Sequence, residues 1–153
     1  MSAAARLADL GLVLPRIPAP AAAYRPYVRH GDLVLTAGQL PMVDGALPKT
    51  GKLGAELSTE EGTALARRAA LNILAIADEV ADGDLERVRV LKLTVFVASD
   101  PGFAEQHLVA NGASDLLAAV LGDAGVHARS AVGVPVLPLD SPVEVEAILA
   151  LHT

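Results

Sequence analysis

The chain of 153 residues predicts an α+β fold, a mixed sheet with two long helices laid across one face. Three observations carry this. Residues 58–80 and 103–121 repeat apolar side chains at helical spacing. Strand-like runs at 32–37, 88–98, 127–134 and 143–149 are interleaved with them. Gly, Pro and Asp gather at the junctions between these segments.

Ser2 to Leu10 is rich in Ala and Leu and fits a short helix stopped at Gly11. Four prolines between Pro15 and Pro26 then mark an extended connector leading to Tyr24 and Tyr27. Asp32-Leu33-Val34-Leu35-Thr36-Ala37 reads as a strand ended by Gly38. Turn formers recur from Pro41 to Leu57, which predicts a surface loop with a short strand near Ala46-Leu47. Ser58 and Glu61 form a capping box, and Glu60 and Glu61 complement the positive end of the helix that follows. Leu65, Ala69, Ile73, Ile76 and Val80 supply its apolar face, and Asp82-Gly83-Asp84 ends it.

Val88 to Ala98 is the longest strand candidate. Strict alternation puts Leu91, Leu93, Val95 and Val97 on one face and Lys92, Thr94 and Phe96 on the other. Asp100-Pro101-Gly102 turns the chain into a second long helix, Phe103 to Leu121, with Leu108, Leu116, Leu117, Val120 and Leu121 for its buried side. Gly122 to Gly125 ends it. The last two strands are joined by Pro135 to Pro142, a loop short enough to pair them antiparallel. On that pairing Arg129 shares a face with Glu144 and Glu146, beside Lys92, Thr94 and Phe96. Such a semi-polar, uncovered face is expected to be closed by another subunit.

Composition narrows the function. With 52% apolar and 20% charged residues the chain is expected to fold, as a single domain over residues 1–153. The absence of cysteine excludes disulfides, thiol catalysis and Cys-ligated metals, and a reducing cytoplasm is the expected location. A net charge of −6 argues against a nucleic-acid partner, which requires a basic stripe. No apolar run reaches the roughly 18–20 residues of a membrane helix. His30, His107, His127 and His152 lack metal-ligand spacing, and no dinucleotide or phosphate-loop fingerprint is present. No metal and no cofactor are expected.

Two readings fit Arg129. It is either an ordinary strand arginine paired with Glu144 or Glu146, or a planar anchor for a carboxylate ligand. Glu144 and Glu146 divide the same way. Taken alone they are a solvated strand face; held close and partly buried, they repel, and one is driven toward a pKa useful for proton transfer. Gly38-Gln39-Leu40-Pro41 is either a plain turn or a presenter of backbone groups to a ligand.

An ordered set of short segments settles more. Ala37-Gly38-Gln39-Leu40-Pro41, Ala70-Leu71-Asn72, Lys92-Leu93-Thr94-Val95-Phe96-Val97, Phe103, Asn111, Ala128-Arg129-Ser130, Leu137-Pro138 and Val143-Glu144-Val145-Glu146-Ala147 resemble, in order, the Rid family. These are the YjgF-like imine/enamine deaminases, once called L-PSP endoribonucleases. The resemblance runs from about Tyr24 to Leu151, behind an N-terminal extension of residues 1–18.

The resemblance implies a chorismate-mutase-like fold and a homotrimer with a site in each cleft between subunits. It implies that Arg129 binds a substrate carboxylate and that Glu144 positions or activates water. Tyr24, Ala37, Gly38 and Asn111 would complete the ligand contacts. The implied reaction is hydrolysis of a 2-imino acid, or its enamine tautomer, to a 2-keto acid and ammonia, with a small carboxylate and the chain itself as partners. A binding protein for 2-keto or amino acids on the same scaffold, without turnover, is the alternative. The sequence departs from the family pattern at Ala131, where cysteine is usual, at Ala37, where serine is common, and at His127, where proline is common.

Overall fold

The computed structural model describes residues 1–19 and 22–152. The elements are α1 (Ala3–Asp9), β1 (Tyr27–His30), β2 (Leu33–Thr36), α2 (Thr59–Val80), β3 (Val88–Ala98), α3 (Gln106–Leu121), β4 (Ala128–Val134) and β5 (Val143–Leu151). The five strands form one mixed sheet in the order β1-β2-β5-β3-β4. Only β3 and β4 run parallel.

Local chemistry fixes the helices. Ser58 accepts from the backbone N–H of Glu61 while the Glu61 carboxylate accepts from that of Ser58, so the expected capping box starts α2. Glu61 also pairs with Lys49, and hydrogen bonding from Lys49 and Ser58 holds its carboxyl down at about 2. Ala81, Asp82 and Gly83 end the helix, the last two in left-handed conformation. Ala69, Ile73, Ile76 and Leu74 of α2 are buried with Val109, Leu116 and Leu117 of α3 and Val34, Val95, Val145 and Leu149 of the sheet. At Gly112 a Cβ would stand 2.0 Å from the Thr63 carbonyl oxygen, so the helices approach here because no side chain intervenes.

Several expectations need correction. β4 and β5 do not pair, because β3 lies between them. The connection of 135–142 crosses over one strand instead of closing a hairpin. Leu91 does not lie with Leu93: the β3–β5 register shifts between Val90 and Lys92. That irregularity inverts the parity of the strand, so Val88 and Val90 point with Leu93, Val95 and Val97 into the core while Leu91 is exposed. The second long helix starts at Gln106, not Phe103, and Leu108 lies on its exposed side. Ala46-Leu47 is no strand. Val43 and Ala46 merely bridge across a tight turn whose Asp44 and Gly45 are both left-handed. β1 was not expected, for its four residues are largely exposed and show no alternation. Part of the 15–26 connector, residues 20 and 21, lies outside the described residues.

Candidate functional site: an arginine and a carboxylate on opposite sheet faces

Arg129 opens the largest correction. In the parallel β3–β4 ladder it stands beside Leu93, whereas Glu144 stands beside Phe96 in the β3–β5 ladder. Leu93 faces the helices and is fully buried; Phe96 faces the other way and is half-buried. Arg129 and Glu144 therefore lie on opposite faces of the sheet, and the expected grouping of Arg129 with Glu144 and Glu146 fails. The ion pairs among the described residues are Arg6–Glu86, Lys49–Glu61, Lys52–Asp140 and Arg87–Asp82. Arg129 is in none of them.

On the helix side, β4 is the sheet edge, and α3 passes beside it. The Arg129 guanidinium donates through Nη1 to Asn111 Oδ1 at 2.9 Å and to Ser114 Oγ at 3.2 Å, and through Nη2 to the His107 carbonyl at 3.2 Å. A guanidinium has five N–H donors. The Nε–H and one Nη2–H are not committed to any described residue, which leaves enough for a two-pronged grip on a carboxylate.

A relay stands behind it. His127 Nδ1 lies 2.6 Å from the Gly125 carbonyl oxygen, which can only accept. In the neutral ring Nε2 is then the acceptor, and it takes the hydroxyl proton of Ser114 at 3.0 Å. The Ser114 oxygen is thereby turned to accept from Arg129. No motif or spacing marks Ser114; it is recognisable only once α3 is laid against β4.

The other half of the site lies where β2 leaves the sheet. Leu35 pairs with Ile148, and Gln39 bridges Val145, so four steps on one strand match three on the other. That is a bulge. Thr36 fills the gap with its side chain, its Oγ1 accepting from the Ala147 N–H at 3.0 Å. Ala37 N–H turns back to the Pro26 carbonyl at 2.7 Å, and Gln39 rejoins β5 through paired bonds of 2.7 and 2.9 Å. The backbone of Ala37 and Gly38 is thus pushed up beside Glu144.

Gly38 lies close against the Glu144 carboxyl, which fills the space a side chain here would take. A Cβ on it would lie 2.3 Å from Glu144 Oε1 and 2.7 Å from its carboxyl carbon. Glu144 is half-buried, and no hydrogen bond from a described residue lowers its pKa. Burial, with the Glu146 charge second, raises its pKa above the ordinary carboxylate value. Tyr24, 65% exposed, lines the same hollow as Ala37 and Gly38. The six residues singled out from the sequence therefore fall into two groups, Arg129 with Asn111, and Gly38 with Glu144 on one side and Ala37 and Tyr24 in the adjoining hollow on the other. Among the described residues no group of three His, Asp or Glu side chains is arranged to hold a metal ion, and no helix is long and apolar enough to cross a membrane.

Comparison with known proteins gives the chain a family. The profile of a family described as "YjgF/chorismate_mutase-like, putative endoribonuclease" matches residues 4–150. Protein TCP17 of Trypanosoma cruzi is 50% identical over 151 residues, covering 97% of this chain and 94% of that one. The RutC family protein PM1466 of Pasteurella multocida is 33% identical over 130 residues, 83% of this chain and 88% of that one. Among solved structures, protein Atu1372 of Agrobacterium tumefaciens, of unknown function, superimposes with a TM-score of 0.91 at 44% identity over 98% of this chain and 92% of that one. The Escherichia coli yjgF gene product does so with a TM-score of 0.62 at 30% identity, over 88% and 94%. Escherichia coli TdcF, solved with bound serine, gives 0.64 at 26% identity, over 90% and 94%. The chain belongs to the YjgF/chorismate mutase-like family and has its α+β fold.

Proposed function

We propose that the protein hydrolyses 2-imino acids, or their enamine tautomers, to 2-keto acids and ammonia in clefts completed by neighbouring copies of the chain. The observation that carries this reading is the separation of an arginine anchor from a carboxyl with raised pKa by the thickness of the sheet. Neither half alone binds and activates a substrate. Copies arranged edge to edge in a closed ring bring the β4 edge of one to the β2–β5 bulge of the next.

A homotrimer is the assembly this reading adopts. The open sheet face supports it: Leu33, Leu35, Leu91 and Val132 are exposed there, with Phe96 and Ile148 half-buried among Lys92, Thr94 and Glu146. An apolar face of that extent is costly to leave in water.

In the proposed reaction Arg129 grips the substrate carboxylate, a charge-assisted contact worth about 1.5–3 kcal/mol. Glu144 accepts a proton from water as its oxygen attacks C2 of the imine. The same carboxyl returns that proton to nitrogen, giving a carbinolamine; it then takes the hydroxyl proton of this adduct and passes it to nitrogen as the C–N bond breaks, so that ammonia leaves and the carbonyl forms. The raised pKa suits a group that must both take up and release a proton. An RNA substrate is not part of this reading, since a net charge of −6 offers phosphates no basic track.

The test is ammonia release from 2-imino acids generated in situ by an amino-acid oxidase. Acceleration over the spontaneous rate that disappears in Arg129→Ala is expected; an unchanged spontaneous rate across a panel of imino acids rejects the proposal. The serine bound to TdcF favours a second reading, ligand binding without turnover. Calorimetry showing Arg129-dependent binding of 2-keto acids with no acceleration would select it.

A further inference from the structure

A cavity of about 670 Å3 opens directly from the Tyr24, Ala37 and Gly38 cluster. Its remaining walls are the N-terminal strap Val13–Ala19, the turn Met42–Gly45, and Arg68, Asn72 and Ala75 of α2. The strap is firmly held. Ala3 and Leu7 of α1 are buried, and Arg6 Nε donates to the Val120 carbonyl at 2.6 Å. Leu12, Leu14 and Ile17 then pack on the core as the strap crosses the molecule. The opposite wall is fastened as well: Arg68 Nε donates to the Met42 carbonyl and Asn72 Nδ2 to the Leu40 carbonyl, each at 2.9 Å.

These bonds use polar groups of α2 on the loop. The lining that remains is dominated by Val13, Leu14, Ile17, Met42, Ala75 and the ring of Tyr24. Of the charged groups in the lining, Arg16 and Asp44 are exposed and of opposite sign, and Arg68, which keeps its charge, has its Nε–H committed to the Met42 carbonyl, so the wall as a whole is mostly apolar. Its volume lies in the range of sites that enclose drug-sized ligands, far more than a methyl group needs.

We propose that this cavity receives the apolar substituent of the substrate, so that the protein selects 2-imino and 2-keto acids with large hydrophobic side chains over those bearing a methyl or methylene. The inference rests on the anchor-and-carboxyl reading above, and it adds the extension of residues 1–18 as the element that sets side-chain preference. A well-filled apolar pocket changes affinity by roughly fourfold per buried methylene.

Calorimetry with stable 2-keto acids tests it without requiring turnover. 4-Methyl-2-oxopentanoate and phenylpyruvate are expected to bind at least about tenfold tighter than pyruvate, and 2-oxoglutarate no tighter than pyruvate. Val13→Asp puts a charge on the wall at a residue 84% exposed, so folding is not at stake. Ala75→Leu narrows the cavity from α2. Both are expected to cut phenylpyruvate affinity at least about fivefold while leaving pyruvate unchanged. Equal affinities across the series, tighter binding of 2-oxoglutarate, or equal losses for pyruvate and phenylpyruvate in both variants overturn the inference. Size-dependent binding without accelerated imine hydrolysis would leave the cavity assignment standing and remove the deaminase. Phenylpyruvate binding lost in Val13→Asp but untouched in Arg129→Ala would keep the cavity and remove the anchor.

Discussion

The two halves of the site are built by opposite means. Arg129 is locked by three acceptors from α3, with Ser114 itself oriented by His127. No hydrogen bond from a described residue stabilises the Glu144 carboxylate, which lies against a glycine. An anchor gains from rigidity, because a guanidinium already fixed in place loses little freedom when ligand binds. A proton carrier gains from the reverse. A carboxyl left without donors in a half-buried setting is poorly stabilised as the anion, and so exchanges its proton at a higher pH than usual.

That contrast can be broken at its weaker-held end first. Glu144→Gln is expected to lower the rate of ammonia release at least about 100-fold, the lower range for removing a general acid–base group. Stability should not fall with it. A raised folded-state pKa contributes stability that is full below the unfolded pKa and is lost as pH rises through the folded value. At neutral pH the variant should therefore melt no lower than the parent, with any gain shrinking on acidification. A clear loss of stability at pH 7 would mean that Glu144 is structural.

The anchor comes next. Arg129→Ala should weaken 2-keto acid binding by about one to two decades, as measured by calorimetry. Glu146→Gln sharpens the comparison without dismantling it. It removes the second cause of the raised Glu144 pKa, so the acid limb of the kcat/KM profile should move to lower pH while the plateau survives. An unmoved limb would take Glu146 out of the account. Smallest of all, Ser114→Ala and His127→Ala should each raise KM a few-fold with kcat nearly constant, and the double variant should cost little more than either single one. Fully additive losses would show that the relay is not one unit.

Most of the architecture was legible in the chain because its signals are local. The Ser58–Glu61 box, the Asp82-Gly83-Asp84 break and the alternation of Val143, Val145, Ala147 and Leu149 each act within a few residues. What misled was non-local. The Val90/Lys92 irregularity reverses which side chains of β3 are buried, and nothing in Val88 to Ala98 announces it. The insertion of β3 between β4 and β5 is equally invisible from a short loop, and so is the register that sets Arg129 beside Leu93 and Glu144 beside Phe96, which together send Arg129 to the far face from Glu144. Family resemblance picked out Asn111, and its contact with Arg129 gives that residue a physical task; Ser114 carried no mark of its own.

The proposed reaction requires Arg129 of one copy to meet Glu144 of another, so the most direct measurement is subunit complementation. Arg129→Ala and Glu144→Gln would each be purified as homomers, dissociated, mixed in equal amounts and reassembled, and assayed for ammonia release. In a ring with random mixing, about one cleft in four pairs an intact arginine with an intact glutamate. Recovery to about a quarter of parental activity from two nearly inactive proteins is the predicted result. No recovery, with reassembly into mixed oligomers demonstrated, would contradict a site shared between copies of the chain.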